Sequence, residues 1–408
     1  MMSNKNLSVL ALSLICSTSA FANEPASSFD KWFSEGSFHG AMKSYYFVQT
    51  FDKEGSHQSQ IWANGGNIVF STAELNGFEL GGEFQGSYIT SRDDPDGKTA
   101  GSMDADGAVL SESYLKYTLG DTTFKGGRQH FSSPFVADSG SRLIKESFEM
   151  YQIRNKSLLN TEISAGYVTK YQTRTDKSYY RDNDFVKFEQ NGIGRPGGFY
   201  DIGDSGMWFT QINTSLSNEI RVKGQYADVI GEVKALYADV KYTLPIPLKS
   251  YIAAQLYTNS WDNSDFTNNN LFGVKFGANH NDLEFFAAIT TVSGSAGEYR
   301  VFRGVGQGAY SQFTKTTKTA GVAAFEAGTD SYQLGVGYRF NQLDGKLRVT
   351  SFDNPEVGKD LDEWTLNLVY GFVGDFKNCI ISVDFTVLDY ENNDKDATDL
   401  RAKFTYKF

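Results

Sequence analysis

The sequence predicts a transmembrane antiparallel β-barrel of eighteen strands, and three observations predict it. The last eleven residues, 398–408, alternate apolar and polar side chains: Leu400, Ala402, Phe404, Tyr406 and Phe408 on one face, Arg401, Lys403, Thr405 and Lys407 on the other. Successive strand residues point to opposite faces, so this ribbon suits lipid on one side and a wet lumen on the other. The connections between such stretches are alternately long and short, as in bacterial barrels. The amino terminus, finally, reads as an export signal.

That signal comes first in the chain. Lys5 precedes the apolar run 7–15, and small residues lead to Ala20-Phe21-Ala22 before Asn23. Cleavage is expected after Ala22, which makes 1–22 a signal peptide, 23–35 a periplasmic lead segment and 36–408 the barrel. Cys16 follows the bulky Ile15 and does not suit a lipoprotein. No later segment reaches the roughly 20 consecutive apolar residues of a membrane-spanning helix. The mean hydropathy of −0.39 does not oppose a membrane protein, because half of each barrel strand faces water. Once 1–22 are removed, Cys379 is the one remaining cysteine, so no intramolecular disulfide is possible. The net charge of −11 argues against nucleic-acid binding.

Rising strands are expected over 36–51, 77–91, 122–129, 161–173, 218–229, 249–261, 282–293, 345–352 and 377–390. Returning strands are expected over 60–75, 111–119, 148–155, 207–215, 232–244, 271–280, 331–340, 363–373 and 400–408. The long connections are 52–59, 92–110, 130–147, 174–206 and 294–330. Between them lie tight turns such as Gly120-Asp121, Asn281-Asp282 and Gly374-Asp375. An even strand count returns the chain to its starting side, which closure without an edge requires. Alternation recurs inside the strands: Phe78, Leu80, Phe84 and Tyr88 oppose Glu79, Glu83 and Gln85.

Parity then sorts the charges. Arg or Lys on the lipid face costs roughly 2–4 kcal/mol near the midplane, so strand cations are placed inward. Arg221, Lys223, Lys241, Lys275, Arg339, Lys346, Arg348, Arg401 and Lys403 become candidate basic lumen residues. Glu79, Glu83, Glu162, Asp239, Glu284 and Asp384 are their acidic counterparts. Facing rows of opposite charge set up a transverse field across a pore.

Signals for catalysis are thin. His39, His57, His130 and His280 share no metal-ligand spacing, and no nucleophile elbow, phosphate loop or HExxH motif occurs. No enzyme activity, cofactor or metal is expected. The acidic segment Asp93-Asp94-Pro95-Asp96 could hold calcium but reads better as a solvated loop.

The segment 126–148, GGRQHFSSPFVADSGSRLIKESF, carries a more specific pattern. It resembles the OprD-type family of substrate-selective porins through Gly127, Arg128, Gln129, Pro134, Asp138, Arg142, Leu143 and Phe148. The segment lies in the third long connection, where that family has it. The Pro-Glu-Phe-Gly signature of general trimeric porins is absent. The resemblance implies an outer-membrane pore of a Gram-negative bacterium that passes small hydrophilic solutes and ions by passive diffusion. It further implies an inward third loop carrying Asp138, Arg142 and Lys145, helped by 294–330, and a basic ladder that guides carboxylate-bearing solutes. Phe408 matches the terminal aromatic that barrel-assembly machinery reads in such proteins. Expected partners are solutes, ions, outer-membrane lipid and that machinery, with a monomer or a homotrimer equally open. The other readings are an adhesin or structural barrel and, further off, a barrel hydrolase; an ungated conductance separates a pore from both.

Overall fold

The computed structural model describes residues 25–96, 103, 105–175, 196–246, 248–319 and 321–408, so the expected signal peptide lies outside the described residues. The strands are β1 (Ser37–Phe51), β2 (Ser59–Ser71), β3 (Phe78–Asp93), β4 (Gly107–Leu119), β5 (Thr122–Gln129), β6 (Ser147–Asn155) and β7 (Thr161–Gln172). After the three-residue β8 (Phe199–Asp201) come β9 (Met207–Ser215), β10 (Ile220–Val229), β11 (Val233–Thr243), β12 (Tyr251–Trp261), β13 (Asn270–His280) and β14 (Leu283–Val292). The last are β15 (Asp330–Phe340), β16 (Leu343–Asp353), β17 (Leu361–Gly371), β18 (Cys379–Tyr390) and β19 (Ala397–Lys407).

All but β8 form one closed antiparallel barrel of eighteen strands. Each pairs with its chain neighbours, β7 with β9 directly, and β19 pairs back onto β1 from Ala41↔Lys407 to Phe51↔Ala397. Closure gives every strand two partners and leaves no unpaired edge in lipid. At the seam, the Gly40 and Phe408 backbones exchange two hydrogen bonds of 3.0 Å. The ribbon β8 is an addition to the expected set; it pairs only with the end of β7, inside what reads in sequence as one long connection.

The alternating pattern becomes two surfaces. Phe84, Tyr88, Trp208, Phe272, Leu334, Trp364, Phe385 and Phe404 are exposed on the outer face, where lipid covers them. Short turns use Asn in the left-handed region, at Asn76, Asn281 and Asn341, a conformation Asn adopts at low cost. At that short-turn end lies helix α1 (Phe29–Ser34), capped by Ser28. Trp32 Nε1 donates to the Phe78 carbonyl at 3.1 Å and the Ala73 N–H to the Trp32 carbonyl at 2.9 Å, so α1 sits on the β2–β3 turn.

Two long loops fold into the barrel. L3 joins β5 to β6 and L7 joins β14 to β15. They meet in a parallel bridge between Val136 and Val305, with Val305 N–H donating to the Phe135 carbonyl at 2.7 Å. Phe135, Phe302, Val305 and Phe325 then pack against Tyr237, Tyr257 and Leu271 of the wall, forming a dry core between loops and strands. Gln225 anchors L3 by accepting from Phe135 N–H at 2.8 Å and donating to Ser133 Oγ at 3.0 Å. Gln85 does the same from the opposite wall, exchanging two hydrogen bonds with the Lys145 backbone at 2.8 and 2.9 Å.

Candidate functional site

The inward loops bring charge together from distant parts of the chain. Lys318, in L7, places Nζ 2.5 Å from Asp399 Oδ2, while Arg401 Nε donates to Asp399 Oδ1 at 3.0 Å. Arg142, from L3, is buried beside this group and close enough to repel Lys318. Burial pushes Lys318 down to about 8, against the pull of Asp399 and helped by Arg401 and Arg142. Lys403 donates to the Gly140 carbonyl at 3.4 Å, so the closing strand touches L3 directly.

Glu363 on β17 shapes the L7 tip. Its carboxylate accepts the backbone N–H groups of Thr317, Lys318 and Thr319 at 2.8 to 3.1 Å, and the Thr319 hydroxyl at 2.6 Å. Arg348 completes the contact by donating to Thr317 Oγ1 and Asn367 Oδ1, each at 2.5 Å. Lys315 beside it is lowered by burial and by the Arg348 charge.

From there cations run along the wall. Lys346 pairs with Glu284 at 2.8 Å, Lys275 lies over the Phe286 ring at 4.6 Å, and Lys241 lies over Tyr251 at 3.7 Å. Arg221 is cross-strand partner to Lys241. Lys223 and Lys315 line a cavity of about 540 Å³ together with Glu162, Gln211, Asn213 and Tyr310. Arg339 is apart from this row: it pairs with Asp344 at 2.6 Å beside the β15–β16 turn, half exposed at the rim.

The acidic side gathers on β3 and β4. Glu79 pairs with Lys116 and accepts from the Tyr114 hydroxyl at 3.1 Å. Glu83 accepts from His130 Nε2 at 2.5 Å and from Asn67 Nδ2 at 2.8 Å. Asp138 pairs with Lys145 at 3.2 Å, and burial raises its carboxyl above the ordinary range. Asp384, within the cationic β16–β19 wall, is cross-strand partner to Arg401 and accepts from Asn367 Nδ2 at 2.6 Å.

Another buried carboxylate, Glu146, holds L3 to L7. It accepts from Ser139 N–H and Gln307 N–H at 3.0 Å each and from the Tyr171 hydroxyl at 2.6 Å, with Arg174 at 3.4 Å. Burial raises it to about 7, against the opposing pull of Arg174.

Of the expected residues, Arg142, Lys145, Asp138, Arg348, Arg401, Lys403, Glu83 and Asp384 lie at or beside the inward loops. Arg221, Lys223, Lys346 and Glu79 lie further along the lumen, and Arg339 at the rim. Sequence reading missed Lys315, Lys318, Glu363 and Asp399. Parity could have found the last two: Asp399 shares a face with Arg401 and Lys403, and Glu363 lies on the polar face of its strand with Thr365 and Asn367, opposite Trp364 and Leu366. Loop lysines carry no such signal. The acidic segment at Asp96 is engaged otherwise: its carboxylate accepts from the His57 N–H at 2.9 Å and lies 3.0 Å from the His57 ring.

An eighteen-strand barrel with a lipid-facing belt, two loops inside and charged walls defines an outer-membrane channel. The sequence model of the outer-membrane porin, OprD family, matches residues 80–396, and the chain belongs to that family. No curated protein matches the sequence. The fold is similar to Acinetobacter baumannii OccAB1, at TM-score 0.75 and 14% identity over 95% of this chain and 99% of that one. It is also similar to Pseudomonas aeruginosa OccK9 (OpdG), at 0.75 and 16% over 92% and 99%. A third likeness is to Pseudomonas aeruginosa OpdK, solved with vanillate, at 0.73 and 14% over 92% and 99%. The chain is thus a Gram-negative outer-membrane porin through which small solutes pass, a channel rather than an enzyme.

Proposed function

We propose that this porin favours small carboxylate-bearing solutes and that the choice is made where L3 and L7 meet the β16–β19 wall. The observation that carries the reading is Asp399. Its two oxygens are held by Lys318 and Arg401, with Arg142 alongside, so the protein already seats one carboxylate among three cations. A solute carboxylate passing beside this cluster is drawn by the field of the same three cations. Low-dielectric walls strengthen each of these charges relative to water.

Glu79, Glu83 and Glu112, on β3 and β4 just beyond the β19–β1 seam, give the field a direction, so a solute enters with its anionic end toward the β16–β19 side. The row Lys346, Lys275, Lys241, Arg221 and Lys223 then offers successive weak contacts, which suits passage better than one strong site. Vanillate, an aromatic carboxylate, accompanies the similar OpdK structure and is consistent with this class.

Liposome swelling tests the reading. Benzoate should enter reconstituted liposomes several-fold faster than benzamide, a neutral molecule of similar size. Equal rates would remove the carboxylate preference while leaving the pore intact.

A further inference from the structure

We propose that Glu83, Glu112 and His130 form a binding site for one borderline-soft divalent cation, zinc above all, at the root of L3. Their ligand atoms, one from each side chain, lie within 4.8 Å of one another, and none of the three side chains is exposed. The site draws on Glu83 and Glu112 of the acidic side, while the row of cations that guides the solute is separate from it.

The backbone creates the convergence. Glu83 and Glu112 are direct cross-strand partners on β3 and β4, at the point where the register shifts between Glu83 and Phe84. Two carboxylates facing each other across a ladder repel, so the pair favours positive charge between them. His130, the first residue after β5, supplies a ring there. Its backbone N–H donates to Glu112 Oε1 at 2.9 Å, which fixes the loop start.

The ring is aimed from outside the cluster. Nδ1 donates to the Glu146 carbonyl at 2.6 Å, which turns Nε2 toward Glu83 at 2.5 Å. A backbone carbonyl on the far nitrogen is the usual support of a metal-bound imidazole. Zinc takes nitrogen and oxygen ligands at about 2.0–2.2 Å, so seating it between Nε2 and Glu83 parts them by roughly 1 Å. The ion takes the place of the proton that Nε2 shares with Glu83, and that proton leaves to solvent. A water completes a four-coordinate set. Cations surround the cluster: Lys145 pairs with Asp138 at 3.2 Å, Lys43 acts on Glu83, and Lys125 lies over the Tyr114 ring at 3.5 Å and 3.8 Å from Glu112, a contact the ion would loosen. One imidazole with two carboxylates selects zinc over magnesium, which prefers six oxygens.

The test is equilibrium dialysis of the purified, chelator-washed porin in detergent against zinc chloride, with folding checked by heat-shifted gel mobility. The wild type should hold one zinc per chain in the micromolar range, retained against a large excess of magnesium chloride. His130→Gln and Glu112→Gln should each weaken binding by at least about tenfold. If His130→Gln fails to fold, Glu112→Gln decides. Zinc bound equally by wild type and folded variants, zinc displaced by magnesium, or no stoichiometric zinc at all would overturn the site.

Discussion

Lys318, at the tip of L7, sets its ammonium 2.5 Å from the carboxylate of Asp399 on the closing strand, 81 positions further along the chain. This one contact joins the inward loop to the barrel seam. Because burial lowers Lys318 to about 8, its charge is present below that pH and lost above it. Anion preference in planar bilayers should therefore decline between pH 7 and 9. Lys318→Arg should flatten that decline, since guanidinium stays protonated throughout. An unchanged pH profile in the arginine variant would remove Lys318 from the selective region.

Glu363 governs the same tip by another route. Changing it to Ala removes an acceptor from three backbone N–H groups and the hydroxyls of Thr319 and Thr365, at about 1–3 kcal/mol for each buried donor left unpaired. The barrel should still assemble, because no strand pairing depends on this carboxylate. Single-channel recordings should become noisier and anion preference should fall. Quiet currents with wild-type selectivity would contradict the role given to Glu363.

The L3–L7 junction depends on close backbone approach. Gly304 has φ +117, and a Cβ there would lie 2.6 Å from the Phe135 backbone. Gly304→Ala must force the loops apart or strain the backbone, a cost of about 1–3 kcal/mol from the dihedral alone. Open-channel conductance should rise, because the loops that narrow the lumen no longer hold each other. Conductance equal to wild type would show that the Val136–Val305 bridge does not set the aperture.

The lipid face admits a parity test. Phe385 is exposed in the middle of β18, next to the inward Asp384. Phe385→Arg should lower folding stability in bilayers by roughly 2–4 kcal/mol, read from urea unfolding of the reconstituted barrel. Asp384→Asn should cost far less, because its side chain faces Asn367 in the lumen. Equal losses would mean that the two faces are misassigned.

Much of this architecture was legible because barrel strands obey a period of two. The pattern from Leu400 to Phe408 places Arg401 and Lys403 inward by parity alone. The alternation of long and short connections gave the eighteen strands. What the sequence could not yield is the loop interior. Lys318 meets Glu363 and Asp399 only after L7 folds through the lumen, and no periodicity links those positions. His130 likewise looks ordinary until β3, β4 and L3 surround its ring. The three residues of β8 are too few to carry an alternation pattern. Arg339 has inward parity, yet its place beside a turn puts it at the rim; parity gives direction, not depth.

The most direct test of the central claim is the reversal potential in a potassium chloride gradient at pH 7. The wild type should reverse on the chloride-selective side. Arg142→Gln/Lys145→Gln, which removes the arginine and lysine charges of L3 while leaving every wall charge in place, should move the reversal potential toward potassium. The same reversal potential in both proteins would contradict the assignment of selectivity to the inward loop.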